Sequence, residues 1–261
     1  MKKPLLDVIF MSEKRKNALL LLQDGPKEME FLLKSFDTTR QAFLPQVRIL
    51  EEHHLVSHDR DTYELTTIGK LIVDEMTPLI DKIEVLDTDI DYWGTHQLDF
   101  IPPYLLARIN ELGGCKIINP PLIEYFHDYT DFYEASKKSK SLFKATTFFY
   151  SKDEIAFSEL VARNVRINII ITSNLLERMQ TNKSAIFAEL IKDKKLHLYV
   201  YPKEMGFLSL SYNDHYTKIR FLKNDGDFDN KFLLCSNPES FKWVKEMFEH
   251  YLKEATPITE L

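Results

Sequence analysis

From residue 5 onward, apolar positions recur at helical spacing. Leu5, Leu6, Ile9 and Phe10 open a short helix, and Ala18 to Leu22 continue it or form a second helix joined near Ser12. Asp24-Gly25-Pro26 stops this segment, and Pro26 suits the first position of a next helix carrying Met29, Leu32, Leu33 and Phe36. Another helix is predicted from about Thr39, because Asp37, Thr38 and Thr39 offer side-chain oxygens to the unpaired N–H groups of its first turn. Around its wheel Phe43, Val47 and Leu50 share one face, while Thr38, Gln41, Pro45, Arg48 and Glu52 lie roughly opposite. Two short β-type runs, Leu55–His58 and Tyr63–Thr66, flank the polar Asp59-Arg60-Asp61-Thr62 and predict a hairpin. Leu65-Thr66-Thr67-Ile68-Gly69 then starts a further helix.

Three helices, a β-hairpin and a helix are the element order of a winged helix-turn-helix, assigned to residues 1–76. Residues 77–97 read as a connecting helix. Ile72, Met76, Leu79, Ile83, Leu86, Ile90 and Trp93 alternate four and three apart, the seam of a heptad, and Thr77-Pro78 looks like a helix restart. Leu79, Ile83, Leu86, Ile90 and Trp93 are therefore candidate dimerisation residues, the other reading being a helix packed on its own second domain. Residues 98–261 alternate strands and helices, with Val165–Ile171 the clearest buried strand. Pro121 to Lys138 reads as an aromatic-rich helical region, Ser141–Tyr150 as a strand, and Phe241, Val244, Phe248 and Tyr251 mark one face of a last helix. The expected fold class is α/β multidomain: a winged helix-turn-helix, a connecting helix and an α/β domain with a mixed sheet.

Composition narrows the function classes. The 261 residues are 44% hydrophobic and 28% charged, ordinary for a globular protein, and the longest apolar runs are too short to cross a bilayer. No signal-peptide cleavage pattern follows Lys2 and Lys3, so the expected location is the cytoplasm. The net charge of −6 announces no nucleic-acid field, and acids slightly outnumber bases even before residue 75. Any DNA contact must rest on local placement. Thr38, Gln41 and Arg48 are candidate base readers, Lys34, Arg40 and Arg60 candidate phosphate contacts, and Thr39, Leu44 and Pro45 share the same helix start and face. Pro45 removes a helical hydrogen bond and predicts a kinked or loosened helix. His53, His54 and His58 match no zinc spacing and suit the helix end instead. Cys115 and Cys235, the only cysteines, read as separate buried thiols of a reduced protein, a redox switch being the alternative.

Leu50-Glu51-Glu52-His53-His54-Leu55-Val56 resembles the end of the recognition helix in ArsR-like winged helices. Leu65 to Gly69 resembles the wing exit of many archaeal regulators. With Leu5 to Lys16, Leu44-Pro45-Gln46-Val47, and the stretch from Gly206 through Asp225-Gly226 to Phe248, nearly the whole chain resembles archaeal, methanogen-type winged-helix transcriptional regulators with a Fil-regulator-type middle domain. The resemblance implies a DNA-binding regulator. His215-Tyr216-Thr217-Lys218, Asp225 and Cys235-Ser236-Asn237 also resemble a phospholipase-D-like half-domain, with the His–Lys spacing one residue longer and only one such run. Since that chemistry needs paired histidines, a non-catalytic relative is expected.

The expectation is a homodimeric regulator of double-stranded DNA, without catalytic residues, cofactor, metal or membrane contact. Its second domain would sense a small-molecule effector or mediate assembly. Thr172, Ser173 and Asn174, which follow the clearest strand, join His215, Lys218, Ser236 and Asn237 as candidate ligand residues. A phosphodiesterase using His215 and a winged-helix module that binds protein are the competing readings.

Overall fold

The computed structural model describes residues 2–121, 123, 128–182 and 185–261. Its contacts divide the chain into two compact units, Met1–Asp81 and Lys82–Leu261.

The first unit begins with α1 (Leu5–Phe10) and α2 (Glu13–Leu21). They are separate helices because Ser12 caps the second, its hydroxyl accepting from the Arg15 N–H. Pro26 does not start the next helix. A short strand β1 (Lys27–Glu28) comes first, pairing antiparallel with a later strand, and only then α3 (Met29–Ser35). Next are α4 (Arg40–Glu52), β2 (Val56–Asp59) and β3 (Thr62–Leu65). Asp59 faces Thr62 across the hairpin, so the loop is only Arg60-Asp61, with Arg60 at a left-handed φ of 54°. The three strands order as β1-β3-β2. The unit's core gathers Val8, Leu19, Met29, Leu32, Phe43, Val47, Leu50, Leu55 and Val73, all at most 2% exposed.

The helix after the hairpin, α5 (Thr67–Asp87), runs through Thr77 and Pro78 without restarting, contrary to the sequence expectation. Proline removes one hydrogen bond, the one to the Asp74 carbonyl. Side chains brace that turn: Gln23 donates to Asp74 at 3.4 Å and accepts from the Thr77 hydroxyl at 2.8 Å. The helix ends at Asp87, and α6 (Ile90–Thr95) is capped separately by Asp89, which accepts from the Tyr92 N–H. The heptad is therefore interrupted. Trp93 is 4% exposed and its indole N–H donates to the Val85 carbonyl at 3.0 Å, so it belongs to the core of its own unit and cannot serve a dimer seam. Leu86 packs against that core too, whereas Leu79, Ile83 and Ile90 are exposed.

The rest of the second unit runs α7 (Pro103–Leu106), β4 (Lys116–Ile118), α8 (Thr130–Ser136), β5 (Ser141–Thr146), α9 (Asp153–Ala162) and β6 (Arg166–Thr172). It continues with α10 (Ser173–Asn182), α11 (Ala185–Lys192), β7 (Leu196–Tyr201), β8 (Phe207–Tyr212), β9 (Thr217–Phe221), β10 (Phe232–Cys235), α12 (Pro238–Leu252) and β11 (Thr256–Ile258). Residues 122 and 124–127 of the helical region expected from Pro121 lie outside the described residues; its described α-helix is α8. The strand expected to reach Tyr150 stops at Thr146. Among the described residues, eight strands form one mixed sheet in the order β11-β7-β6-β5-β8-β9-β10-β4. Strands β5, β6 and β7 are parallel neighbours, and every other pairing is antiparallel. One face packs on α12 through Trp243, Val244, Met247 and Phe248, of which Trp243 and Met247 were not among the expected positions. The other face packs Ile167, Ile169 and Ile171 against Phe157, Leu160 and Phe187.

The two cysteines are not separate thiols. Cys115 and Cys235 form a disulfide between the ends of β4 and β10. The register explains it: Lys116 faces Leu234, so the next residues in each strand direction, Cys115 and Cys235, face each other with Cα atoms 4.4 Å apart.

Candidate nucleic-acid interface and ligand site

The α4 helix separates its faces as the periodicity demands. Phe43, Val47 and Leu50 are buried at 0–2% exposure, while Arg40, Gln41, Pro45, Arg48 and Glu52 are exposed and Leu44 is half-buried. Thr39 caps the helix by accepting from the Ala42 N–H, and Pro45 sits inside it on the solvent side. The C-terminal end is equally well closed: His54 takes φ 58°, its N–H donates to Glu51 and the Leu55 N–H donates to Leu50, a left-handed cap that aims the chain into β2. The His53 ring N–H donates to the Ile49 carbonyl at 2.8 Å, a helix-end role rather than a metal-ligand role.

The exposed cations around α4 are not equivalent. The Arg40 guanidinium forks onto Asp61 at the hairpin tip, at 2.5 and 3.2 Å. Thr38 is half-buried and accepts from the Lys14 ammonium at 3.0 Å. Glu51 is held by His58. Arg48, Arg60 and Lys34 make no ion pair among the described residues, and all three are exposed.

The second unit does not bring its predicted ligand residues together. Thr172, Ser173 and Asn174 line a cavity of about 330 Å³ with Thr147, Lys203 and Glu204, and the Thr172 hydroxyl accepts from Leu175 N–H. Ser236 is exposed, and Asn237 caps α12 by accepting from Ser240 N–H while donating to the Gly113 carbonyl at 2.6 Å. His215 is exposed in the β8–β9 turn. Lys218 is different, being 3% exposed and paired with Asp128.

Around Lys218 lies a polar patch that the sequence reading missed. On the face opposite α12, cross-strand register aligns Lys144, Ser211 and Lys218 in one row, and Thr146, Ser209 and Arg220 in the next. All six are 4% exposed or less. Lys144 pairs with Asp153 at 3.2 Å. Phe132 covers the Lys218 ammonium at 4.4 Å from its ring centre, and Phe232 covers the Arg220 guanidinium at 5.1 Å. Arg220 donates to the Tyr150 hydroxyl. Burial pulls the Lys218 ammonium below its usual range although Asp128 opposes this, and burial does the same to the Arg220 guanidinium. Burial would raise the Asp128 carboxyl, but Lys218 and Lys144 outweigh it and hold that group well below the ordinary carboxylate range. Asp153, with less compensation from Lys144, is pushed up. The available sequence signal was cations at alternate positions, Lys218 and Arg220, inside an otherwise apolar strand.

Against this geometry, the model of the middle domain of methanogenesis regulatory protein FilR1 matches residues 125–254. Residues 125–254 of this chain belong to the FilR1 middle-domain family. The HVO_A0261 N-terminal domain model matches residues 6–88 of the same chain. Methanogenesis regulatory protein FilR1 of Methanothrix harundinacea (strain 6Ac) is 22% identical over 260 residues. That match covers 97% of this chain and 58% of the relative, so the chain spans a little over half of the relative's length. Among solved structures, the archaeal chromatin protein TrmBL2 aligns at 16% identity and a TM-score of 0.44, covering 97% of each chain. Nuc, a phospholipase D family member from Salmonella typhimurium, aligns at 14% identity and a TM-score of 0.36, covering 49% of this chain and 89% of Nuc. Overlaps this loose carry no argument about shared chemistry. In this FilR1-type chain the polar rows of β5, β8 and β9 lie within the matched middle domain, and α4 with its hairpin lies within the matched N-terminal region. No described helix is long and apolar enough to cross a membrane.

Proposed function

We propose that the chain is a sequence-specific, double-stranded-DNA-binding transcriptional regulator whose first unit acts as a winged helix-turn-helix. The observation that carries this reading is the outward face of α4. Gln41, Pro45 and Arg48 stand exposed on a helix anchored by three buried side chains, followed by a two-residue hairpin tipped by Arg60. In such a unit α4 enters the major groove and the hairpin follows the backbone. Arg48 and Gln41 have the donors for base edges, and Arg60 and Lys34 suit phosphates. Thr38 and Arg40 become secondary contacts, since Lys14 and Asp61 already engage them. The FilR1 relative is described as a methanogenesis regulatory protein, in keeping with a regulatory role here. Leu79, Ile83 and Ile90 remain exposed apolar positions through which a homodimer could present two copies of α4. The second unit would then supply effector binding or assembly.

Selection from random duplex DNA tests the reading. Enrichment of a defined sequence is expected. Arg48→Ala should weaken binding to it by roughly 10- to 100-fold, corresponding to about 1–3 kcal/mol, and relax preference at one position. Arg60→Ala should weaken all sequences alike and lower the salt slope by about one. No enrichment, with both variants behaving as the parent, would overturn it.

The ion pair at the hairpin tip adds a second expectation. Asp61 competes with phosphate for Arg40 and places a negative charge beside the same backbone. Asp61→Ala should therefore tighten binding to non-specific duplex several-fold at low salt, an effect that fades as ionic strength rises. Unchanged or weaker affinity in a titration at two salt concentrations would place the hairpin tip away from DNA.

A further inference from the structure

Among the described residues, the two polar rows on β5, β8 and β9 hold more cations than carboxylates. Lys144, Lys218 and Arg220 contribute three cations, all 4% exposed or less, while Asp128 and Asp153 contribute two carboxylates. Each carboxylate is assigned: Asp153 to Lys144, Asp128 to Lys218. Arg220 forms no ion pair among the described residues and donates to the neutral Tyr150 hydroxyl. Its Nε–H, fully buried, has no hydrogen-bond partner, and neither has the Ser211 hydroxyl in the adjoining row on the same face. A buried guanidinium whose neighbouring carboxylate, Asp128, is already bonded to Lys218 is costly to hold, and a sheet core of this size could be filled with apolar side chains instead. A directional, unsatisfied donor beside an excess positive charge is what an oxyanion site requires of its empty state.

We propose that this face binds a small oxyanion, the phosphoryl or carboxylate group of a metabolite, with Arg220 as its principal partner and Ser211 and Lys218 as its flanks. The oxyanion accepts from Arg220 Nε–H and from the Ser211 hydroxyl, and it neutralises the charge that Asp128 and Asp153 leave over. Access runs past the loop between β5 and α9. Asp128, Asp153, Thr130 and Tyr133 line a cavity of about 310 Å³ on one side of that loop, and Tyr150, Phe149 and Arg178 line another of about 190 Å³ on the other. Asp153 accepts from the Tyr150 N–H at 3.2 Å, which ties the loop to the first turn of α9 beside the residue that hydrogen-bonds Arg220. Such a site deepens the reading of the second unit as an effector unit, but it stands on that unit's own residues. DNA binding could fail its test while this site passes.

Isothermal titration of the full chain at constant ionic strength, with inorganic phosphate and separately with citrate as probes and chloride as the reference, decides the matter. Saturable binding of one stoichiometric equivalent is expected, with Arg220→Met abolishing it and Ser211→Ala weakening it by roughly 10- to 150-fold, as loss of one hydrogen bond to a charged group predicts. Phosphate without citrate assigns a phosphoryl ligand, and citrate without phosphate a carboxylate one. Ser211→Ala removes a single unpartnered hydroxyl and keeps the test open if Arg220→Met does not fold. The proposal is overturned by the absence of saturable binding of either probe up to tens of millimolar. It is equally overturned by binding that Ser211→Ala and Arg220→Met leave intact, which would locate the anion elsewhere, for example at the exposed cations around α4.

Discussion

Replacing Cys115 and Cys235 together by serine is expected to lower the unfolding free energy of the second unit by about 4 kcal/mol. The bond closes a sequence separation of 120 residues. Cross-linking a loop of that length removes on the order of 4–5 kcal/mol of chain entropy from the unfolded state. Little native strain offsets this, because the antiparallel register of β4 and β10 already sets the two residues opposite each other. Cys235 is 2% exposed, so a serine there also buries a hydroxyl, and the parent protein under reductant provides the cleaner comparison. Urea unfolding followed by two probes should show the second unit's transition moving to lower denaturant in both the serine variant and the reduced parent, with the first unit's transition unmoved. Identical midpoints for oxidised and reduced parent would show that the bond contributes nothing to stability.

Gly69→Ala is expected to cost the first unit about 3 kcal/mol or more. A Cβ at this position would lie 2.0 Å from the Leu55 carbonyl oxygen and 3.1 Å from its carbon, and both are backbone atoms with no rotamer to escape into. The first turn of α5 sits directly on the corner between α4 and β2. Thr66 builds that corner: its N–H donates to Leu55 O at 3.1 Å, its hydroxyl to His54 O at 2.6 Å, and the same hydroxyl accepts from Gly69 N–H at 3.0 Å. To admit a methyl group the helix must withdraw by more than an ångström and break these bonds, an overpacking cost at the upper end of the usual range. For a unit of this size the thermal midpoint should fall by roughly 12 °C or more. Gly94→Ala, where an added Cβ meets nothing within 4 Å, is the control and should shift the midpoint little. A Gly69→Ala protein that melts with the parent would refute the close approach.

These two positions show what the sequence can and cannot disclose. The buried stripe of α4 was legible because helical periodicity is local: Phe43, Val47 and Leu50 announce their face within three turns. The strands Arg166–Thr172 and Phe232–Cys235 were legible for the same reason. Gly69 stood out within a recognisable phrase, but the need for glycine arises from a carbonyl fourteen residues earlier. Pro78 misled because its neighbour Thr77 looks like a cap, when the side chain instead bonds Gln23. The disulfide and the cationic rows were opaque for a deeper reason. Which residues face each other across β5, β8, β9, β10 and β4 depends on strand order, and the sheet interleaves strands from distant parts of the chain. His215, Ser236 and Asn237 lie close to these strands in sequence, yet the register that aligns Lys218 with Lys144 leaves His215 and Ser236 in solvent and Asn237 at a helix cap.

That interleaving also fixes an order of events at the ribosome. Strand β4 is made early, but its partner β10 and the sulfur that Cys115 will join are made more than a hundred residues later. In the interval β5, β6 and β7 and their helices can assemble as successive parallel neighbours, and β8 can pair with β9 through a short turn. The growing chain thus carries β4 unpaired through the synthesis of more than a hundred residues, and the disulfide records that its partner strand has arrived.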